Sequence, residues 1–352
     1  MAGSRTSRHS ERGTSCHSER SEESTSRAAG SNRFAIEHVS HYHYTSPARH
    51  SIMSLCLQPR NSVKQHLLHF ALATEPFTLY SAGLDPYGNT RHVFSVHQWH
   101  ESLRITAHTT IDTGPAAQLP TSLTAGAWDT IRAWRDSFAL WDFTHDSPLA
   151  RSSPALTAFI AREGIEPADD PLQAVGMLSE KLHSVFAYMP GSTSVASPID
   201  HILESGRGVC QDYAHVMIAI ARSWGVPARY VSGYVHVTGE GREQTQTSAQ
   251  AQTSSQTQTS LQTPTSSQTQ ASSQAPQTAT HAWVECRLPG LGWVGFDPTN
   301  QTLADDHHVT IAVGRDYQDV PPSKGILHGF VGSVLEVDVR MRLLAPTHAE
   351  TA

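Results

Sequence analysis

From Phe34 the chain alternates apolar and polar residues, FAIEHVSHYHYTSP, and reaches a proline at Pro47. A period of two places every second side chain on one face, which only an extended strand does, so this segment predicts a strand ended by the proline. Comparable pieces follow: SIMSLCLQP, HLLHFALAT, FTLYSAGLDPYGNTRHVFSVHQ and SLRITAHTTID. DPYGNT (85–90) gathers Pro, Gly and Asn and reads as a hairpin turn. Residues 33–115 therefore predict an antiparallel β domain. Residues 1–32 mix Ser, Arg and Glu without the apolar stretch of a signal peptide, and they predict a disordered tail.

Beyond residue 115 the pattern changes. AWDTIRAWRDSFAL and PLQAVGMLSEKLHSVFAY are helical pieces broken by Pro and Gly. A helix over 210–224 precedes a strand over 228–237, and HAWVECRL (281–288) is joined by PGLG to WVGFD (293–297). Further strands are expected at 309–313 and 330–344. Residues 116–345 thus predict helices packed on an antiparallel sheet, and the whole chain an α+β fold. Residues 243–280 consist almost wholly of Gln, Thr, Ser and Ala and predict a disordered loop. Strand signals resume at once beyond it, so the loop interrupts its domain without ending it.

Charge and cysteine usage narrow the function classes. The 352 residues carry a formal net charge of −7 and only three lysines, Lys64, Lys181 and Lys324. No basic patch exists for nucleic acid or a membrane surface, and no run of apolar residues is long enough to span a bilayer. The four cysteines (Cys16, Cys56, Cys210 and Cys286) are scattered, which argues against a disulfide framework or a zinc site and for a reducing, cytoplasmic setting. The pairs His41/His43 and His307/His308 have no carboxylate or cysteine at ligand spacing, so neither a metal nor another cofactor is expected.

One stretch carries chemistry, GRGVCQDYAH. On the 210–224 helix, Tyr213, Val216, Met217, Ile220, Ala221 and Trp224 share one face, with Cys210 at its edge. The helix by itself favours Cys210 as a small buried residue. A thiol at a helix N-terminus is also where unpaired N–H groups and the helix dipole favour the thiolate and could hold an oxyanion. Gly206 and Gly208 would let the backbone turn tightly and leave room for a substrate. A base and its orienting group are still required. His281 begins one strand and Asp297 ends the next. A three-residue connection would set Asp297 opposite Trp283 and on the face of His281, whereas two or four residues would separate them.

Three motifs in this order, GRGVCQDYAHVMIAIARSWGVPARYVSGYVH, HAWVECRLPGLGWVGFDPTN and GRDYQDVPPSKG, resemble the bacterial transglutaminase-like superfamily, close in fold to papain-like cysteine proteases. HVSHYHYTSPA, CLQPR and DPYGN resemble the β domain that precedes this core in bacterial members, and the resemblance spans roughly residues 34–344. It implies Cys210 as nucleophile, His281 as base and Asp297 as orienting carboxylate. Gln211 and the Cys210 N–H are the implied oxyanion donors, and Trp283 is expected to wall the cleft. Tyr234 and GRDY match family positions to which no chemistry is assigned, Asp212 is expected to brace the helix start, and strand alternation turns Cys286 away from His281. The implied reaction is attack on a peptide or glutamine-type amide through a thioester. Hydrolysis is expected first, transamidation of Gln to an amine second, and an inactive peptide-binding scaffold is the alternative of another class.

Overall fold

The computed structural model describes residues 31–115, 118–236, 250–252, 280–328 and 332–345. The tail and most of the Gln/Thr/Ser stretch lie outside these residues.

A single strand, β1 (Asn32–Gln58), forms the spine of the N-terminal half. Its first part pairs with β5 (His100–Thr113), and the two sets of partners change across a register break between His43 and Ala48. Pro47 sits in that break, so the proline bends the strand where the sequence suggested an end. A proline is tolerated here because its missing N–H falls where the ladder is already interrupted. Beyond the break β1 pairs with β4 (Thr90–Val96), itself joined to β3 (Tyr80–Leu84) through the expected hairpin turn. β2 (Gln65–Glu75) pairs with β5. Before the break the even-numbered residues of β1 face inward, Phe34 and Ile36 reaching the core of the C-terminal half. Beyond it the odd-numbered Met53, Leu55 and Leu57 do, joining Tyr42, Leu103, Ile105 and Phe94 in a smaller core.

The C-terminal half begins with helices α1 (Ala127–Ala133), α2 (Trp141–Thr144), α3 (Pro154–Glu163) and α4 (Pro171–Val185). A two-residue strand β6 (Ala187–Tyr188), helix α5 (Ile199–Ser205), strand β7 (Arg207–Gly208) and helix α6 (Cys210–Ser223) follow. Ser153 and Asp170 cap α3 and α4, each followed by a proline at the first turn. α6 is buried on every side from Gln211 to Arg222, a wider burial than the one-faced pattern implied. It lies on a sheet made by β8 (Ala228–Val235), β10 (Thr280–Leu288), β11 (Gly292–Asp297), β12 (Thr302–Leu303) and β13 (His308–Gly314), while α4 and α5 cover it elsewhere. The spatial order is β12-β11-β10-β8-β13. Between β8 and β10 the chain contributes β9 (Gln250–Gln252).

Two expectations about boundaries are corrected. The strands after residue 322, β14 (Ser323–His328) and β15 (Ser333–Leu343), do not belong to the catalytic core predicted for 116–345. Both return to pair antiparallel with β1, so the N-terminal sheet is closed by the C-terminal end of the chain. Strand propensity identifies a strand but not its partner, and this partner lies nearly the whole chain away. The loop predicted over 243–280 is interrupted as well, because the β9 backbone pairs with Ser333–Leu335 along the edge of β15.

The halves are locked through the edge of the five-stranded sheet. Gln65 Nε2 donates to the Thr310 carbonyl (2.7 Å) and its Oε1 accepts from the Thr310 N–H (2.8 Å). Asn89 repeats the device on Val313, at 2.8 and 2.9 Å. An amide side chain offers the donor–acceptor pair of a peptide, so these two residues stand in for a missing neighbour strand. Arg60 of CLQPR fixes Asn89 of DPYGN at 2.6 Å, which gives both motifs a structural role.

Candidate active site

Cys210 is the first residue of α6, half-buried, with its N–H among the unpaired donors of the helix start. The approach to it is built from below. Asp212 Oδ2 accepts from the Val209 N–H (2.8 Å) and the Thr193 hydroxyl (2.5 Å), bracing the helix start as the sequence suggested. Burial raises the Asp212 pKa, with these two hydrogen bonds acting against the shift. Gly206 ends α5 in the left-handed region at φ 65°, which favours glycine. Gly208 has another purpose than the one expected: a Cβ there would lie 2.5 Å from Ile202 Cδ1 and 2.9 Å from Asp212 Cβ. Its space is filled by the protein, not left for a substrate.

The β10–β11 connection has three residues, 289–291, with Leu288 paired to Gly292 and Val284 to Phe296. One further step of this register sets Asp297 opposite Trp283. The side chains meet as that register requires: His281 Nε2 lies 2.7 Å from Asp297 Oδ2. Cys210 lies near enough to the ring for its thiol to help raise the His281 pKa, so the structure gathers Cys210, His281 and Asp297 in one site. Asp297 is wholly buried, and its remaining acceptor capacity is spent locally. Oδ1 accepts from the N–H groups of Thr299 and Asn300, and Oδ2 from Asn300 Nδ2 at 2.7 Å. The DPTN turn therefore makes Asp297 both a turn former and the partner of His281. His183 on α4 holds the turn through the Thr299 carbonyl at 2.9 Å.

The electrostatics follow from burial and pairing. Burial opposes charge on both partners, but the ion pair outweighs it. Asp297 and Cys210 raise the His281 pKa well above the imidazole range, while His281 and His308 hold Asp297 far below the carboxylate range.

Other expected site residues are placed elsewhere. Trp283 is 1 % exposed and packs with Val231 and Val313 behind His281, whose ring centroid is 6.2 Å away, so it walls no cleft. Its indole lies across Gly233 of the neighbouring strand β8, where a Cβ would come within 2.4 Å of the ring. Tyr234 is buried too, its hydroxyl 2.8 Å from His38 Nδ1 across the contact between the halves. Gln211 Nε2 donates to the Val195 carbonyl at 3.1 Å, so this amide secures the segment before α5 rather than an open oxyanion position. Cys286 is fully buried in the core, and burial pushes its thiol far up.

GRDY also acquires a role. Arg315 forms an ion pair with Asp319 (2.8 Å), Asp316 accepts from the Leu149 N–H (2.9 Å), and the Tyr317 N–H donates to His215 Nε2 (3.2 Å). Arg222 completes this clamp by donating to the carbonyls of Ala228, His145 and Arg315.

Three neighbours of the triad escaped sequence reasoning. Asn300 was visible as the end of FDPTN but gave no sign of its reach to Asp297. His308, the second residue of the HH pair, stands behind Asp297 with Nε2 3.5 Å from Oδ2, while its Nδ1 is 2.8 Å from Asp305 Oδ1. Burial lowers the His308 pKa, and these two carboxylates together raise it above the ordinary value. Tyr188 lies half-buried near Cys210, and burial followed by that thiol raises its pKa. No spacing signal linked it to the site.

The fold agrees with comparisons to known proteins. The transglutaminase-like superfamily model matches residues 158–298, and the bacterial transglutaminase-like N-terminal region matches residues 34–112. The chain belongs to the transglutaminase-like superfamily, a family of cysteine-dependent enzymes, and carries its bacterial N-terminal region. An uncharacterised protein of Mycobacterium bovis is 29 % identical over 322 residues, covering 88 % of this chain and 93 % of that protein. A protein-glutamine gamma-glutamyltransferase of Pseudomonas aeruginosa is 28 % identical over 189 residues, 53 % of this chain and 23 % of that protein. The crystal structure of a candidate cysteine protease from Cytophaga hutchinsonii superposes with a TM-score of 0.66 at 18 % identity, covering 91 % of this chain and 93 % of that one. At that identity the likeness concerns the fold. Among the described residues no helix is long and apolar enough to cross a membrane.

Proposed function

We propose that the protein is a thiol amidohydrolase acting on peptide or glutamine-type amides through a Cys210 thioester. The observation that carries this reading is the buried Asp297 holding His281 by Nε2, at 2.7 Å, beside a Cys210 thiol close enough to help raise the His281 pKa. Cys210 gives its proton to His281, and the thiolate attacks the amide carbon. The negative charge that develops on the carbonyl oxygen is held by N–H groups of the α6 start. His281 returns the proton to the leaving nitrogen, ammonia or amine departs, and the acyl group remains as a thioester. Water then loses a proton to His281 as it attacks, the C–S bond breaks, and the thiol is reformed with a free carboxylic acid. A peptide or protein is the substrate class, and a reducing compartment, the cytoplasm, suits a nucleophile that must stay a free thiol.

The similarity to a gamma-glutamyltransferase over half of the chain favours a second reading, in which a primary amine takes the acyl group in place of water. Incubation with a glutamine peptide and a labelled primary amine separates the two. Ammonia release without incorporated label is expected. Label in the peptide would establish transamidation, and neither product from a panel of glutamine peptides and amide libraries would sink the enzymatic reading in favour of a peptide-binding scaffold.

A further inference from the structure

We propose that His41, His43 and Glu336 form a binding site for a divalent transition-metal ion, of which zinc is the representative, on the outer face of the N-terminal sheet. The ligand atoms of these three residues lie within 4.8 Å of one another. His41 and His43 are two apart on β1 and share a face, and their ring centroids are 4.0 Å apart. Glu336 comes from β15, directly opposite His41, and its Oε2 is 3.6 Å from His43 Nε2. The carboxylate missing near the histidines in sequence is thus supplied by the strand that arrives from the other end of the chain.

The chemistry suits an imidazole-preferring ion. Two imidazoles and a carboxylate are a recurrent zinc donor set, and small side-chain rotations would bring all three to bonds of about 2.0–2.2 Å with a fourth position open to solvent. The surroundings are favourable to a cation. Across the sheet, Arg104 lies opposite His41 and Glu75 opposite Arg104, so the row carries two carboxylates against one guanidinium.

The site is separate from the triad. His38, on the opposite face of β1, points to Tyr234, whereas His41 and His43 look away from the catalytic half. A bound ion would tie β1 to β15, two strands joined across most of the chain, and so hold the sheet closed. The group Asp305, Asp306 and His307 is as compact, but Asp305 is taken by His308 (2.8 Å) and Asp306 by Asn32 (2.8 Å).

The test titrates zinc chloride into the full-length Cys210→Ala protein at pH 7.5 by calorimetry, since the Cys210 thiol would otherwise take zinc itself. One ion per chain is expected. His41→Ala and His43→Ala should each weaken it by about tenfold or more, and Glu336→Gln by less. Zinc should raise the melting temperature, and His43→Ala should remove that rise while melting normally without zinc. No binding at about 100 µM zinc, or binding that His41→Ala and His43→Ala leave unchanged, would overturn the proposal.

Discussion

The two ends of α6 present buried polar groups of different kinds. Toward its C-terminal end Arg222 donates to the backbone carbonyls of Ala228, His145 and Arg315, and mid-helix His215 Nε2 accepts from the Tyr317 N–H. At its N-terminal end Cys210 meets His281, whose own partner Asp297 is titratable and ion-paired. A polar group paired with backbone cannot exchange protons with its partner and serves as a clamp. A chain of titratable groups that ends on a half-buried sulfur can move a proton.

That contrast can be broken from either end. Cys210→Ala is expected to lower amide turnover by about 10^4-fold or more while leaving the melting temperature nearly unchanged. Retained turnover in a thioester-trapping assay would remove the sulfur from the mechanism. Asp297→Asn keeps the shape but loses the charge that raises His281, and should reduce kcat by about 10^2- to 10^4-fold. Its alkaline limb should move toward lower pH, because the raised His281 pKa depends on Asp297.

At the clamp the readouts exchange. Arg222→Met leaves three buried carbonyls without their donor and should cost about 3 kcal/mol or more in urea unfolding. Turnover per folded molecule should stay within a few-fold, and a large loss would show that the ends of α6 are coupled. His308→Gln probes the layer behind Asp297. Losing one charge-assisted contact of about 1.5 kcal/mol should lower kcat about tenfold, with KM unchanged.

The fold also responds to pH. Burial lowers the pKa of His38 and of His215 to about 4, from an ordinary 6.5. Between these values the unfolded chain binds protons that the folded chain refuses, so stability falls as the pH drops from about 6.5 to 4. Each group contributes a slope of about 1.4 kcal/mol per pH unit, measurable by denaturation across that range. A flat profile would mean that both rings protonate without leaving their pockets.

Much of this was legible in the chain itself. Period-two segments, a helix opening on Cys210 and a Gly-containing hairpin between His281 and Asp297 determined the α+β class and brought those last two residues within reach of each other, because strand alternation and helix polarity are local properties. The place of Cys210 beside them followed only from the family resemblance. Partners distant in sequence were not legible. Trp283 read as a cleft wall until its indole was found lying across Gly233 of β8, and His308 read as half of a histidine pair until Asp297 was found behind it. Strands 323–343 read as catalytic core because propensity carries no address, yet their partner is β1. The sequence by itself determined which elements form and which nucleophile opens α6. Only the tertiary structure decided which β-strand each edge finds and which charges share a buried space, because those depend on packing between residues up to hundreds of positions apart.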